Sequence, residues 1–395
     1  MKIGDAKKLG FSRERLGRIK QLQQRFIDKG KLPGFVTLIA RRCEIAYLDT
    51  TGYRDIATQR PYETDTIVRI FSMTKPITTV ALLMLYEQSL FNLHDPLYEY
   101  LPEFKDITVY QNEKRTQAAS PITIEHILTH TSGITYGNPE GSLVDRQYHD
   151  ADLHNKNRPL EEVVKHIASL PLRFHPGTKW HYGMSTDVVG RLVEVLSGKS
   201  LADFIEQHIC QPLGMVDTAF HIDPNKTNRF ATLYHVTPEN PLAIYDEAET
   251  SAYLPPVTMH SGGGGMISTI GDYYRFTQCL ANNGQLDGVR LLGRKTVQRM
   301  RQNHLRPELL PVRFEFSEPY YGLGFGWGVS PMLDITQSGI MGSNGDHGWG
   351  GYAETVFWID PQEEMIVINM TQCIPSGYHP IRKLLRTAVY QALVD

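Results

Sequence analysis

RIFSMTKPIT (residues 69–78) sets a serine and a lysine three apart at the head of an apolar run. Residues three apart on a helix share a face, so Ser72 and Lys75 can touch there. The continuation, ITTVALLMLYEQSL, is apolar on nearly every face, which predicts a helix buried inside the protein. Pro76 falls in its first turn, where a missing N–H costs little. Burial disfavours an ammonium, so a lysine placed here can act as a base toward the serine hydroxyl. The helix N-terminus adds partial positive charge and free N–H groups for a developing oxyanion. Polar residues at this spacing also occur at ordinary helix starts, so the rest of the chain has to give the pair its meaning.

The 395 residues are 41% hydrophobic and 21% charged, the balance of an ordinary globular protein with a large core. A formal net charge of −3 gives no electrostatic case for a nucleic-acid partner. No apolar run approaches the ~18 residues of a membrane span. The first twenty residues carry positive charge but no apolar core of a leader peptide. Cys43, Cys210, Cys279 and Cys373 are far apart and form no C-x-x-C pair, which fits reduced, buried thiols. Together these predict a cytoplasmic protein, or a periplasmic one if a leader has been removed.

Around the opening stretch, Ser12 is placed to cap a first helix with an apolar stripe through Leu16, Ile19 and Phe26 that ends near Gly30. FVTLIARR (35–42) and EIAYLDTTG (44–52) read as two strands joined by a tight turn. From Ser72 to about residue 256 the pattern is helices and long polar loops, with 106–120 and 148–159 as surface excursions. Strand-like runs return at ETVFWID (354–360) and EEMIVINMTQ (363–372), and IRKLLRTAVYQALV (381–394) reads as a closing amphipathic helix. The expected architecture is α/β of the α+β kind. One antiparallel sheet is built from both termini (1–71 and 257–395) and flanked by helices, with a mainly helical lobe (72–256) inserted and the active site at their interface.

Other chemistries leave weaker traces. No G-x-S-x-G surrounds any serine, so the nucleophile elbow of α/β-hydrolases is missing. Gly198-Lys199-Ser200 imitates the end of a phosphate loop, but Val193 stands where that loop needs glycine, and a helix terminus explains it better. SGGGG (261–265) and YGLGFGWG (321–328) do not fit a dinucleotide fingerprint and suggest turns or close backbone packing. His126 and His130 are four apart, yet Ile127 replaces the zincin glutamate and no third ligand is apparent, so no metal and no cofactor is expected.

With these set aside, the chain resembles the serine β-lactamase and penicillin-recognising superfamily, from about Pro33 to Gln372. More narrowly it is similar to class C β-lactamases and the family VIII carboxylesterases. RIFSMTKPIT matches the nucleophile motif. LHDPLYEYLPEF (93–104), ITIEHILTHTSGI (122–134), FHPGTKWHYG (174–183), PLGMVDTAF (212–220) and SGGGGMISTIGDYYRF (261–276) match framework segments in family order. The resemblance implies a β-lactamase/transpeptidase-like fold and a third catalytic group, Tyr182. That phenol would share with Lys75 the removal of the Ser72 proton. It also implies an oxyanion hole from the backbone N–H groups of Ser72 and Tyr352.

Two departures bear on the substrate. The family's Y-x-N asparagine is Met184 here, which cannot bond a substrate amide. Counting back from ETVFWIDP, the K-T-G slot falls on Trp349-Gly350-Gly351, as in the esterase branch and certain acyltransferases. Tryptophan offers an apolar wall and one N–H in place of a cation, so an anionic substrate loses a charge-assisted bond. His347, two residues earlier, supplies a polar group if the register shifts. The expectation is a serine hydrolase working through an acyl-enzyme on small neutral esters, or a related acyltransferase. A β-lactamase or D-alanyl-D-alanine carboxypeptidase is the alternative, and a catalytically silent binding member of the fold a third. The expected partner is a small acyl substrate, with no nucleic acid and no membrane span.

Overall fold

A computed structural model describes residues 3–111, 113–314 and 318–395. Ser12 does cap the first helix, α1 (Arg13–Asp28), its hydroxyl accepting the Arg15 N–H at 3.3 Å. β1 (Gly34–Arg41) and β2 (Glu44–Asp55) follow as an antiparallel pair, and β3 (Arg60–Pro61) adds an edge. The turn between β1 and β2 puts Arg42 and Cys43 at positive φ. Strand Met365–Met370 lies on the other side of β1, with Leu38 opposite Ile368. Beyond it come Val356–Asp360, His347–Gly350 and Ser330–Pro331, so seven antiparallel strands from both ends of the chain make one sheet.

Every residue of β1 is buried because helices cover both faces of the sheet. Side chains alternate across a strand. Ile39 therefore packs with Leu16, Ile19, Leu385 and Val389, between α1 and the C-terminal helix Ile381–Tyr390. Val36, Leu38 and Ala40 point the other way, into the large core with α2 (Thr74–Glu87). That helix is buried almost continuously from Thr74 to Leu83, as its unpatterned apolar sequence implies. Behind it lie α3 (Ile124–Leu128), α4 (Leu143–Asp150), α5 (Leu160–Ser169) and α6 (Ser185–Ser197). Gly198 is left-handed at φ 69° and ends α6, so Gly-Lys-Ser is a helix terminus.

Several local readings change. Residues 108–117 form a hairpin, Thr108–Gln111 with Lys114–Gln117, and Val109 is buried; Asn112 lies outside the described residues. In 148–159, Tyr148 and Leu153 are buried, so this stretch folds back on the core. Strands also occur in the span read as helices and loops: Leu233–His235 pairs with Ala243–Asp246 and with Cys373–Ile374. These runs are too short for a periodicity to stand out. Cys210, Cys279 and Cys373 are buried free thiols, but Cys43 is exposed because it sits on the β1–β2 turn. No helix among the described residues is long and apolar enough to cross a membrane.

Candidate active site

The nucleophile turn is fixed from both sides. Strand Val68–Arg69 pairs with Ile267–Ser268, and the Ile70 N–H donates to the Met266 carbonyl. Arg69 is fully buried and donates to Asp246 and to the Ala231 carbonyl, which anchors the strand. Phe71 then takes φ +43°, a costly conformation for a bulky residue. This kink starts a single tight turn, Phe71–Met73, that leads Ser72 into the head of α2.

Lys75 lies one turn further, 1% exposed. Its ammonium nitrogen donates to Ser72 Oγ at 3.1 Å, to the Tyr136 hydroxyl at 2.8 Å and to the Gly263 carbonyl at 2.6 Å. Three acceptors match the three N–H bonds of an ammonium. The Gly263 acceptor belongs to SGGGG, so the glycine run is a turn in close packing. Asp187 of α6 holds it by accepting from the Gly263 N–H at 3.2 Å and the Ser261 hydroxyl at 2.5 Å. A Cβ on Gly263 would come within 2.5 Å of Asp187, so only glycine fits.

Tyr182 donates to Ser72 Oγ at 2.8 Å and accepts the Trp349 indole N–H at 3.3 Å. Its ring lies 4.8 Å from that of His130, and the Lys75 ammonium is 4.7 Å from its centroid. His130 is buried, and its Nδ1 accepts the Gly183 N–H at 3.3 Å. Burial, then the Lys75 charge, pushes this imidazole well below its ordinary range, so it stays a neutral acceptor. His126 serves the cap of α3, its Nδ1 accepting the Thr123 N–H. The i, i+4 histidines are thus structural. No group of three or more His, Cys, Asp or Glu side chains able to hold a metal occurs among the described residues.

On the sheet side, Trp349 stands opposite Phe357 in the strand pair, and its ring contacts Tyr182, Phe314 and Phe325. A Cβ on Gly351 would collide with the Ile70 carbonyl oxygen and Thr355 Oγ1, so this backbone runs directly against the nucleophile turn. Phe71 and Tyr352 meet edge to face at 6.0 Å. Neither the Ser72 nor the Tyr352 N–H has an acceptor among the described residues, which leaves both as free donors. Gly350 lies under the Arg382 guanidinium, which donates to the Gly351 and Thr355 carbonyls.

Ser72, Lys75, Tyr182 and Trp349 thus converge, with the backbone of 350–352 beside them. Met184 and His347 do not join them. Met184 is 1% exposed, at the head of α6 with its side chain in the core. His347 is 3% exposed and bonds the Gly345 carbonyl; burial lowers it to about 4. Sequence reasoning missed Tyr136 and Asp187. Tyr136 lies two residues beyond ITIEHILTHTSGI, where nothing separates it from a packing tyrosine. A second omission is the wall of Trp180, Phe314 and Phe325 around Tyr182.

A hydroxyl hydrogen-bonded to an amine and a phenol, beside two free backbone N–H groups, is suited to acyl transfer. The comparisons agree. The family model described as Beta-lactamase matches residues 19–391. Esterase EstB of Burkholderia gladioli is 31% identical over 380 residues, covering 91% of each chain. An uncharacterized protein of Mycobacterium tuberculosis (strain CDC 1551 / Oshkosh) is 31% identical over 357 residues, 88% of each. The solved structure of EstCE1, a hydrolase with promiscuous acyltransferase activity, superposes with a TM-score of 0.81 at 27% identity, covering 95% of this chain and 99% of its own. The chain belongs to the beta-lactamase family, on its esterase-like branch.

Proposed function

We propose that the protein is a serine hydrolase that forms an acyl-enzyme on Ser72, with small neutral esters as substrates and acyl transfer to a second hydroxyl as a related outcome. The observation that carries this is the pair of bonds on Ser72 Oγ from Lys75 and Tyr182, with the Trp349 indole N–H donating to the Tyr182 phenol. Lys75 and Tyr182, both bonded to Ser72 Oγ, share the removal of the serine proton. The Ser72 Oγ–carbonyl carbon bond forms, and the charge developing on the carbonyl oxygen meets the Ser72 and Tyr352 N–H groups. The carbon–alkoxide bond then breaks and Tyr182 returns the proton to the departing oxygen. Water, or another alcohol, reverses these steps to release the acyl group.

Trp349 in the slot of the family's lysine supports neutral esters over carboxylate-bearing lactams and peptides. In this reading residues 1–71 and 257–395 form the sheet lobe, 72–256 the helical lobe, and the site lies between them. Four free thiols support a reducing, cytoplasmic setting.

A fluorophosphonate probe tests the reading by intact mass. One adduct is expected on the wild type and none on Ser72→Ala; an unlabelled wild type overturns it. Faster turnover of a chromogenic cephalosporin than of p-nitrophenyl butyrate would reverse the substrate preference.

A further inference from the structure

Two sets of aromatic rings reach Ser72 by different routes. The first reaches it through the Tyr182 phenol. Phe314, Trp349 and Trp180 lie 5.3, 5.5 and 6.4 Å from the Tyr182 ring. The second reaches it through Phe71, the residue before the serine. Phe71 meets Tyr352 at 6.0 Å, and burial, then the Tyr245 phenol nearby, raises the Tyr352 phenol.

The second set is built to face outward. The pairing of Leu233–His235 with Ala243–Asp246 slips between Leu233 and Tyr234, leaving Tyr245 as the extra residue of a bulge. A bulge re-aims the side chain it carries. The Tyr245 ring packs on His235 at 5.5 Å, yet Tyr245 stays 62% and Tyr352 50% exposed. Exposed large rings beside a reactive serine offer contact area at small entropic cost.

A tetrahedral acyl centre has four substituents, and three have a direction here. The serine oxygen comes from Ser72. The oxyanion points to the N–H groups of Ser72 and Tyr352. The leaving oxygen must lie within reach of the Tyr182 hydroxyl that protonates it. The acyl substituent takes the remaining direction, away from Tyr182.

We propose that the two ring sets sort the two halves of the ester: Phe71, Tyr352 and the bulged Tyr245 receive an apolar acyl group, while Phe314, Trp349 and Trp180 receive the alcohol. The assignment rests on the acyl-enzyme reading above. Ring faces on both sides favour apolar groups larger than acetyl in the acyl position, with the Tyr245 and Tyr352 hydroxyls left at the solvent rim.

The test uses two ester series. One varies the acyl group on p-nitrophenol through acetyl, hexanoyl and phenylacetyl. The other varies the alcohol of butyrate through methyl, hexyl and benzyl, followed by acid release. For Tyr245→Ala the loss in kcat/KM is expected to grow along the acyl series to roughly tenfold and to stay level along the alcohol series. Phe314→Ala is expected to do the reverse. Tyr352→Leu serves as a second acyl-side variant, and thermal melts confirm that each protein is folded. A Tyr245→Ala loss that follows the alcohol, is uniform, or is absent overturns the assignment. A wild type that labels on Ser72 and turns over esters shows that such a failure belongs to the walls alone. A wild type that does not label fails the underlying reading.

Discussion

Trp349 donates its indole N–H to the phenol oxygen of Tyr182 across 3.3 Å, and the same phenol is bonded to Ser72 Oγ. A single neutral donor therefore meets this phenol oxygen from the sheet side. As Tyr182 exchanges the serine proton, any negative charge that builds on its oxygen strengthens that bond. Trp349→Phe keeps a ring against Phe314 and Phe325 and deletes only the donor. Its kcat on p-nitrophenyl butyrate is expected to fall about tenfold with KM little changed. A rise in KM alone would show that Trp349 acts as a wall and not on Tyr182.

Tyr136 closes the set of acceptors around Lys75. Tyr136→Phe leaves the ammonium with Ser72 and Gly263 and one hydrogen bond short. A buried donor left without its partner costs on the order of 1–3 kcal/mol, and more when it is charged. The expected outcome is a kcat lower by roughly tenfold to a hundredfold. The fluorophosphonate adduct still forms on Ser72, but more slowly. Labelling at the wild-type rate would restrict Tyr136 to packing.

The parts of the site differ in how legible they were, and distance along the chain explains the difference. Ser72 and Lys75 show themselves because three residues on one helix is a local relation. Trp349 could be placed because strand pairing counts residues reliably back from 354–360. His347 shares the strand phase of Trp349, since side chains two apart face one way. What the phase does not reveal is depth, and His347 ends up sealed beneath the sheet edge. Tyr136, Asp187 and Phe314 come from separate segments that meet only after folding, and each residue type has an ordinary structural use. The same limit explains the short strands at 233–246, whose partner at 373–374 is more than a hundred residues away.

Gly351 presses on the nucleophile turn, and a methyl group there would strike the Ile70 carbonyl and Thr355 Oγ1. Both obstacles are held: Thr355 by the strand hairpin and Ile70 by its bond to Met266. In Gly351→Ala the 350–352 backbone must therefore move, carrying the Tyr352 N–H away from the acyl oxygen. Losing one such donor costs about a hundredfold to a thousandfold in kcat. The expected loss in kcat is of that size, with a lower Tm from the strained contact. Gly339→Ala is a control for cost without function, because Gly339 takes φ 65° with open space around its Cβ position. It should lower Tm and spare kcat.

Acid should unfold the protein through its neutral imidazoles. Burial lowers His126, His181 and His347 to about 4 each; secondary contributors are His94 and Arg306 for the first, Arg173 for the second and Arg301 for the third. An unfolded chain takes up these protons near the ordinary histidine value of ~6.5. Between about 6.5 and 4 the unfolded state thus binds more protons than the folded one, so stability is complete above that window and is lost as pH falls through it. Each group adds up to about 1.4 kcal/mol per pH unit to the slope. His126→Gln isolates one of them, because Gln suits the third position of the Thr123 capping box and carries no titrating proton. Urea unfolding at pH 7 and pH 5 should show a smaller drop for this variant than for the wild type. An unchanged drop would mean that His126 does not stay neutral in the folded protein.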